Sequence, residues 1–104
     1  MIRAELVFGR NIGTALGVSE ADFHRFLSEE VTSRFPDGFT VLDSKGQYRD
    51  QAGRIIREPG KVVVIAFPDG QTARDKIAAI AAGYKDRFRQ EAVATVLTGS
   101  CVTF

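Results

Sequence analysis

The chain has 104 residues, 14 basic against 13 acidic, a formal charge of +1 and a single cysteine. That length predicts one domain over residues 1–104, large enough to bury a core without staples. The near-neutral balance supplies no global field for nucleic acid or anionic membrane, and the lone Cys101 excludes an intrachain disulfide and a zinc set. No run reaches the roughly 20 apolar residues of a membrane span. The start of the chain lacks the basic-then-apolar layout of a signal peptide. The chain as given therefore reads as cytoplasmic, with a periplasmic location the alternative if a leader was removed.

Ile2, Ala4, Leu6 and Phe8 alternate with Arg3, Glu5, Val7 and Gly9, the period of a strand, which is predicted to end near Arg10. Asn11 to Gly17 reads as a loop. Ser19-Glu20-Ala21-Asp22 matches a capping box, in which hydroxyl and carboxylate satisfy orphan N–H groups at a helix start. Phe23, Phe26, Leu27 and Val31 follow as an apolar stripe, with His24, Arg25, Ser28, Glu29 and Thr32 opposite. The helix is expected to end before Phe35-Pro36, because proline disfavours helical geometry in its predecessor. Pro36-Asp37-Gly38 is a turn.

Two strands, Phe39–Asp50 and Arg54–Phe67, are predicted to pair through Gln51-Ala52-Gly53. Folding about Ala52 sets Val41 opposite Val63 and Leu42 opposite Val62. Phe39, Val41, Val63, Ile65 and Phe67 then share one face; Thr40, Leu42, Val62, Val64 and Ala66 share the other. The run Lys61–Phe67 is apolar on both faces, the pattern of a strand in mid-sheet. Asp43-Ser44-Lys45-Gly46 and Glu58-Pro59-Gly60 predict bulges or a bend. Thr72-Ala73-Arg74-Asp75 reads as a second capping box, opening a helix to about Gln90. Its buried stripe is Ala73, Ile77, Ile80, Ala81, Tyr84 and Phe88, and Gly83 at its middle points to close packing. A last strand runs from Val93 to Phe104. The order strand, helix, strand, strand, helix, strand predicts an α+β fold. The expected form is a ferredoxin-like sandwich: a four-stranded antiparallel sheet, two helices on one face, and a long hairpin between the second and third strands.

Gly9, Gly13 and Gly17 fit neither the dinucleotide pattern nor the P-loop, so no cofactor is predicted. Arg49, Arg54 and Arg57 share the outer hairpin with Tyr48 and Glu58. Forked guanidinium groups beside an aromatic could hold a carboxylate or phosphate, and Arg10 could approach them. The plainer reading is a solvated ribbon whose charges block edge-to-edge association. His24 has no second histidine for a metal, and no metal site is predicted. Cys101 reads as a small buried hydrophobe and Tyr84 and Phe88 as core; Gln90-Glu91 reads as a plain helix terminus, the alternative being a partner for an arginine.

At Phe8-Gly9-Arg10, Phe35-Pro36-Asp37-Gly38-Phe39-Thr40-Val41 and Gly46-Gln47-Tyr48-Arg49 the chain resembles a bacterial family, domain of unknown function family 3574. Arg57-Glu58, Tyr84, Phe88, Gln90 and Val93 fit the same pattern. Tyr48 stands where the family is expected to carry Trp, and Ala92 where Ser is frequent. The resemblance covers nearly the whole chain and implies a compact α+β domain. It brings no known activity and no catalytic residues. Family members often look exported or lipid-anchored; this chain shows no lipobox.

Two functional readings follow. In the first, the chain is a homo-oligomer, a dimer foremost, joined through an apolar sheet face of Val7, Leu42, Val62, Val64 and Ala66, with a small anionic or aromatic ligand between subunits. In the second, it is a cofactor-free isomerase or decarboxylase acting on a small organic acid. Arg10, Arg49 or Arg57 would then fix the anion, and Glu58 or Tyr48 would move a proton. A nucleic-acid partner is disfavoured, since no aromatic-basic strand signature is present.

Overall fold

The computed structural model describes residues 1–104. In chain order its elements are β1 (Ile2–Gly9), β2 (Asn11–Ile12), β3 (Ala15–Leu16), α1 (Glu20–Phe26) continuing as a π-helix (Leu27–Thr32), β4 (Thr40–Arg49), β5 (Ile55–Phe67), α2 (Gln71–Phe88) and β6 (Ala94–Gly99). Four strands form one antiparallel sheet in the order β4-β5-β1-β6. No helix is long and apolar enough to cross a membrane.

The alternation of β1 decides where the core lies. Ile2, Ala4, Leu6 and Phe8 are buried, and Val63, Ile65 and Phe67 join them from β5. Both helical segments cover this face with Phe23, Phe26, Val31, Ile77, Ile80, Tyr84 and Phe88. Phe8 sits at the middle of an aromatic group, with ring centroids 5.7, 5.5 and 4.6 Å from Phe23, Phe26 and Tyr84. The opposite face of the sheet has no helix on it. There Val62 and Val64 are half-buried, while Val7, Leu42 and Ala66 are exposed.

The expected pairing of Val41 with Val63 and Leu42 with Val62 is the observed register. The Ser19 capping box also forms, with Ser19 Oγ accepting from the Asp22 N–H and the Asp22 carboxylate accepting from the Ser19 N–H. Gly83 lies against Glu30, where an added Cβ would meet the carboxylate at ordinary contact distance.

Several expectations are overturned. The segment Asn11–Gly17 contains the small β2-β3 hairpin, turned at Gly13 with φ +67°. The first helix does not stay α-helical. Phe26 and Val31 are five residues apart, which in an α-helix would place them about 140° apart. The wider π turn brings both into the core. No bulge interrupts the long hairpin: pairing is continuous from Thr40↔Val64 to Arg49↔Ile55. Pro59 is tolerated because its carbonyl accepts from the Arg10 N–H. In an antiparallel strand N–H and C=O point the same way, so its missing donor faces β1 and the β4 ladder loses nothing.

The second capping box is absent. The α2 helix starts at Gln71 behind Gly70, two residues earlier than a Thr72 cap requires, and Asp75 accepts instead from the Gln71 side chain. The last strand stops at Gly99, because β1 offers no partner beyond Ile2; Ser100 N–H bonds the Met1 carbonyl, and the chain leaves the sheet. Cys101 is therefore exposed, not buried.

Only Gly60–Phe67 of β5 pairs with β1, so Ile55–Pro59 and Lys45–Arg49 form a two-stranded arm. The arm contributes to extents of 42 × 25 × 23 Å.

Candidate functional site

The root of this arm is tied to the end of α2 by backbone and amide groups. The Asn11 N–H donates to Glu58 Oε2 at 3.0 Å, and Asn11 Nδ2 donates to the Arg57 carbonyl at 3.3 Å. Gln90 Nε2 donates to the Asn11 carbonyl at 2.7 Å, and the Tyr84 hydroxyl donates to the Gly9 carbonyl. Gly9 has no side chain because the Glu58 carboxyl occupies the space: a Cβ there would lie 2.5 Å from it. Arg89, at the C-cap of α2, takes a left-handed conformation with φ 54°. That turn ends the helix and carries Gln90 and Glu91 toward the arm.

Between the arm and this helix end lies an open groove of about 720 Å³. Tyr48, Arg49, Arg54 and Glu58 line it from the hairpin, and Asn11, Arg89, Gln90 and Glu91 line it opposite. Arg54 is half of a tip clasp, its Nε 2.9 Å from Asp50 Oδ2 and its N–H 2.8 Å from Asp50 Oδ1. Its side chain is 69% exposed, so the clasp leaves donors available. Arg49 makes no ion pair, and Tyr48 is 47% exposed. The groove is polar and open, not the closed apolar pocket that proton-transfer chemistry on an organic acid favours.

The four arginines singled out by sequence do not converge. Arg57 lines a neighbouring depression of about 450 Å³ with Lys45, Gly46, Gln47, Glu58 and Pro59, and only Glu58 is common to it and the groove. Arg10 is buried at the end of β1 and lines a third, of about 410 Å³, with Glu20, Asp43, Ser44, Lys45, Pro59 and Gly60. Sequence reasoning missed Asn11 and Arg89, and set aside Gln90 as a helix terminus. The pattern Gln90-Glu91 after a long helix was a usable signal for Gln90; nothing marks a left-handed arginine.

It also missed Lys61, which is buried. Lys61 Nζ donates to both Glu20 oxygens, at 3.0 and 2.8 Å, and to Asp43 Oδ1. Glu20 Oε1 is also 3.1 Å from Arg10 Nη1. Hydrogen bonds donated to Asp43 and Glu20 push the Lys61 pKa up, and the Lys61 ammonium holds Asp43 below its ordinary value. Tyr84, buried and near Glu58, is pushed well above the usual phenol range, chiefly by desolvation. It is a structural hydroxyl, donating to Gly9, with no tendency to ionise.

The molecule is thus an α+β domain whose antiparallel sheet and two helices position an arginine-lined groove at the root of a hairpin arm. The family model described as "Protein of unknown function (DUF3574)" matches residues 3–104, and the chain belongs to that family. No curated protein matches the sequence. Among solved structures the fold is similar to a phage SAM lyase in its apo state (TM-score 0.74, 16% identity, covering 93% of this chain and 78% of that one). The phage SAM lyase in complex with S-methyl-5'-thioadenosine is similar at TM-score 0.75 and 16% identity, over 93% and 79% of the two chains. At that identity the likeness is one of fold.

Proposed function

We propose that the chain is a homo-oligomeric small-molecule-binding domain whose hairpin groove takes a ligand combining an anionic group with a planar ring. The observation that carries this reading is the gathering of Arg49, Arg54, Arg89 and Tyr48 on one groove of about 720 Å³. That volume falls within the roughly 300–1,000 Å³ of small-molecule sites. Guanidinium forks match carboxylate or phosphate oxygens, and the half-exposed Tyr48 ring offers a face for stacking. A protein of similar fold that holds S-methyl-5'-thioadenosine, an adenine nucleoside, supports the ring component.

Calorimetric titration with adenosine 5'-monophosphate, S-methyl-5'-thioadenosine and succinate tests it. The monophosphate, carrying both ring and anion, is expected to bind most tightly. Replacing Arg49 and Arg54 together with alanine should weaken it at least about tenfold, the value of one charge-assisted hydrogen bond. Absence of saturable heat with all three probes would sink the reading.

The oligomer reading rests on the uncovered sheet face. The register sets Leu42, Val62, Val7 and Ala94 side by side across all four strands, with Thr40, Val64, Glu5 and Val96 in the next row. Leu42, Val7 and Val96 are 52, 39 and 49% exposed. Arg3 and Glu5, 3.1 Å apart on the same face, could exchange partners across a two-fold axis. A dimer hiding this face would bury roughly 1,600 Å² in total. Val64→Asp should then sediment as a smaller particle than wild type, and a wild type that is monomeric at micromolar concentration overturns the idea. The ferredoxin-like reading of the fold draws on the strand order, in which the first and third long strands are central.

The enzymatic alternative keeps one supporting observation: Tyr48 and Glu58 line the same groove as Arg49 and Arg54. A cofactor-independent isomerase or decarboxylase would use Glu58 as the proton carrier. Glu58→Gln separates the two, since binding alone requires no turnover. NMR of the incubated ligand should show no conversion by wild type or variant if the domain only binds.

A further inference from the structure

We infer that Arg10 and Lys61 form a carboxylate-binding site that the chain's own Glu20 fills until a ligand displaces it. The two cations are fixed parts of the fold. Arg10 is 11% exposed at its side chain, and its Nε donates to the Val18 carbonyl at 3.0 Å. Lys61 is 8% exposed, projects from central strand β5, and lies 5.9 Å from the centre of the Phe23 ring.

Cations so deeply buried require anionic partners. Here those partners are solvent-exposed groups: the Glu20 side chain is 69% exposed and that of Asp43 83%. Glu20 bridges the pair, with Oε1 3.1 Å from Arg10 and 3.0 Å from Lys61, and Oε2 2.8 Å from Lys61. The space between the cations is therefore sized for a planar carboxylate. Glu20 is the first residue of α1, so its side chain can swing into solvent without disturbing the helix. A ligand carboxylate taking its place leaves the charge of the cluster unchanged, with Asp43 still on Lys61. Ser44 and Lys45, on the wall of the same depression of about 410 Å³, supply donors for the rest of the ligand. The site is separate from the hairpin groove and stands or falls apart from it.

The test is the melting temperature of wild type, Glu20→Gln and Lys61→Met in succinate against chloride at matched ionic strength and pH 7. Glu20→Gln is expected to melt below wild type in chloride. At tenfold excess over the dissociation constant succinate should raise it by about 6 °C, more than it raises wild type. In an Arg49→Ala, Arg54→Ala background, which disables the hairpin groove, Lys61→Met should show no specific response. A purely structural ion cluster predicts the opposite, a destabilised Glu20→Gln no more sensitive to succinate than wild type, and that result overturns the proposal. Should Glu20→Gln fail to fold, succinate titration of wild type by NMR decides. Saturable amide shifts at Ser44, Gly60 and Lys61 support the site, and their absence rejects it.

Discussion

Gly60 is the residue where the fold has least room. A Cβ there would lie 2.6 Å from the Phe8 carbonyl oxygen and 2.8 Å from Ser44 Oγ, so an alanine must push β1 and β5 apart. Gly60→Ala is expected to cost about 2 kcal/mol in urea unfolding, within the range for overpacking. Gly99→Ala meets nothing within 4 Å and should be neutral. Tyr84 gives a pH signature. Its folded pKa is raised above the unfolded value near 10, so the folded state favours the neutral phenol. That contribution is whole below pH 10 and is lost as pH rises toward the folded value. Lys61, also raised, loses its share in the same alkaline direction above its ordinary 10.5. Tyr84→Phe should therefore lose about 1 kcal/mol at neutral pH with its hydrogen bond to Gly9. It should also fall less steeply than wild type between pH 10 and 12, as followed by circular dichroism. These residues were differently legible. Tyr84 belonged to a helical stripe and read as core; the demand on Gly60 depends on how closely two strands approach, which spacing alone does not carry.

Among the elements, the arm is the one most exposed to solvent. A two-stranded ribbon without a third strand or a helix is marginal by itself. Amides in Lys45–Arg49 and Ile55–Glu58 should consequently exchange with deuterium faster than those of Gly60–Phe67, which β1 covers on its other edge. Equal protection along β5 would mean that something packs on the arm. The hairpin was also the best-read part of the chain, because two apolar runs about Ala52 admit one register that buries Val63 and Ile65. The first helix was read less well. Its cap, Ser19 to Asp22, is local chemistry, whereas the π turn after Phe26 follows from the need to bury Val31 in the core. The second cap failed for a related reason: Thr72 and Asp75 have the right spacing, but the chain enters the helix two residues too early for Thr72 to serve.

At the scale of the molecule, a radius of gyration of 14.2 Å exceeds the ~13 Å expected of a compact chain this long, and the arm accounts for the difference in direction. The hairpin part of the groove was visible in sequence as Tyr48, Arg49, Arg54 and Glu58. Its opposite wall was not, because Asn11 and Arg89 meet the arm only through the packing of β1 and α2. For the same reason Arg10 looked like a fourth member of an arginine cluster and is instead the floor of another depression. One feature of the sheet bears on handling the protein. Every residue of β6 is exposed, and Ala94-Thr95-Val96-Leu97-Thr98-Gly99 carries no charge and no proline. With its outer hydrogen-bonding edge open, such a strand can template identical neighbours into fibrils at high concentration, and a lysine at Thr98 is the smallest gatekeeper that would prevent it.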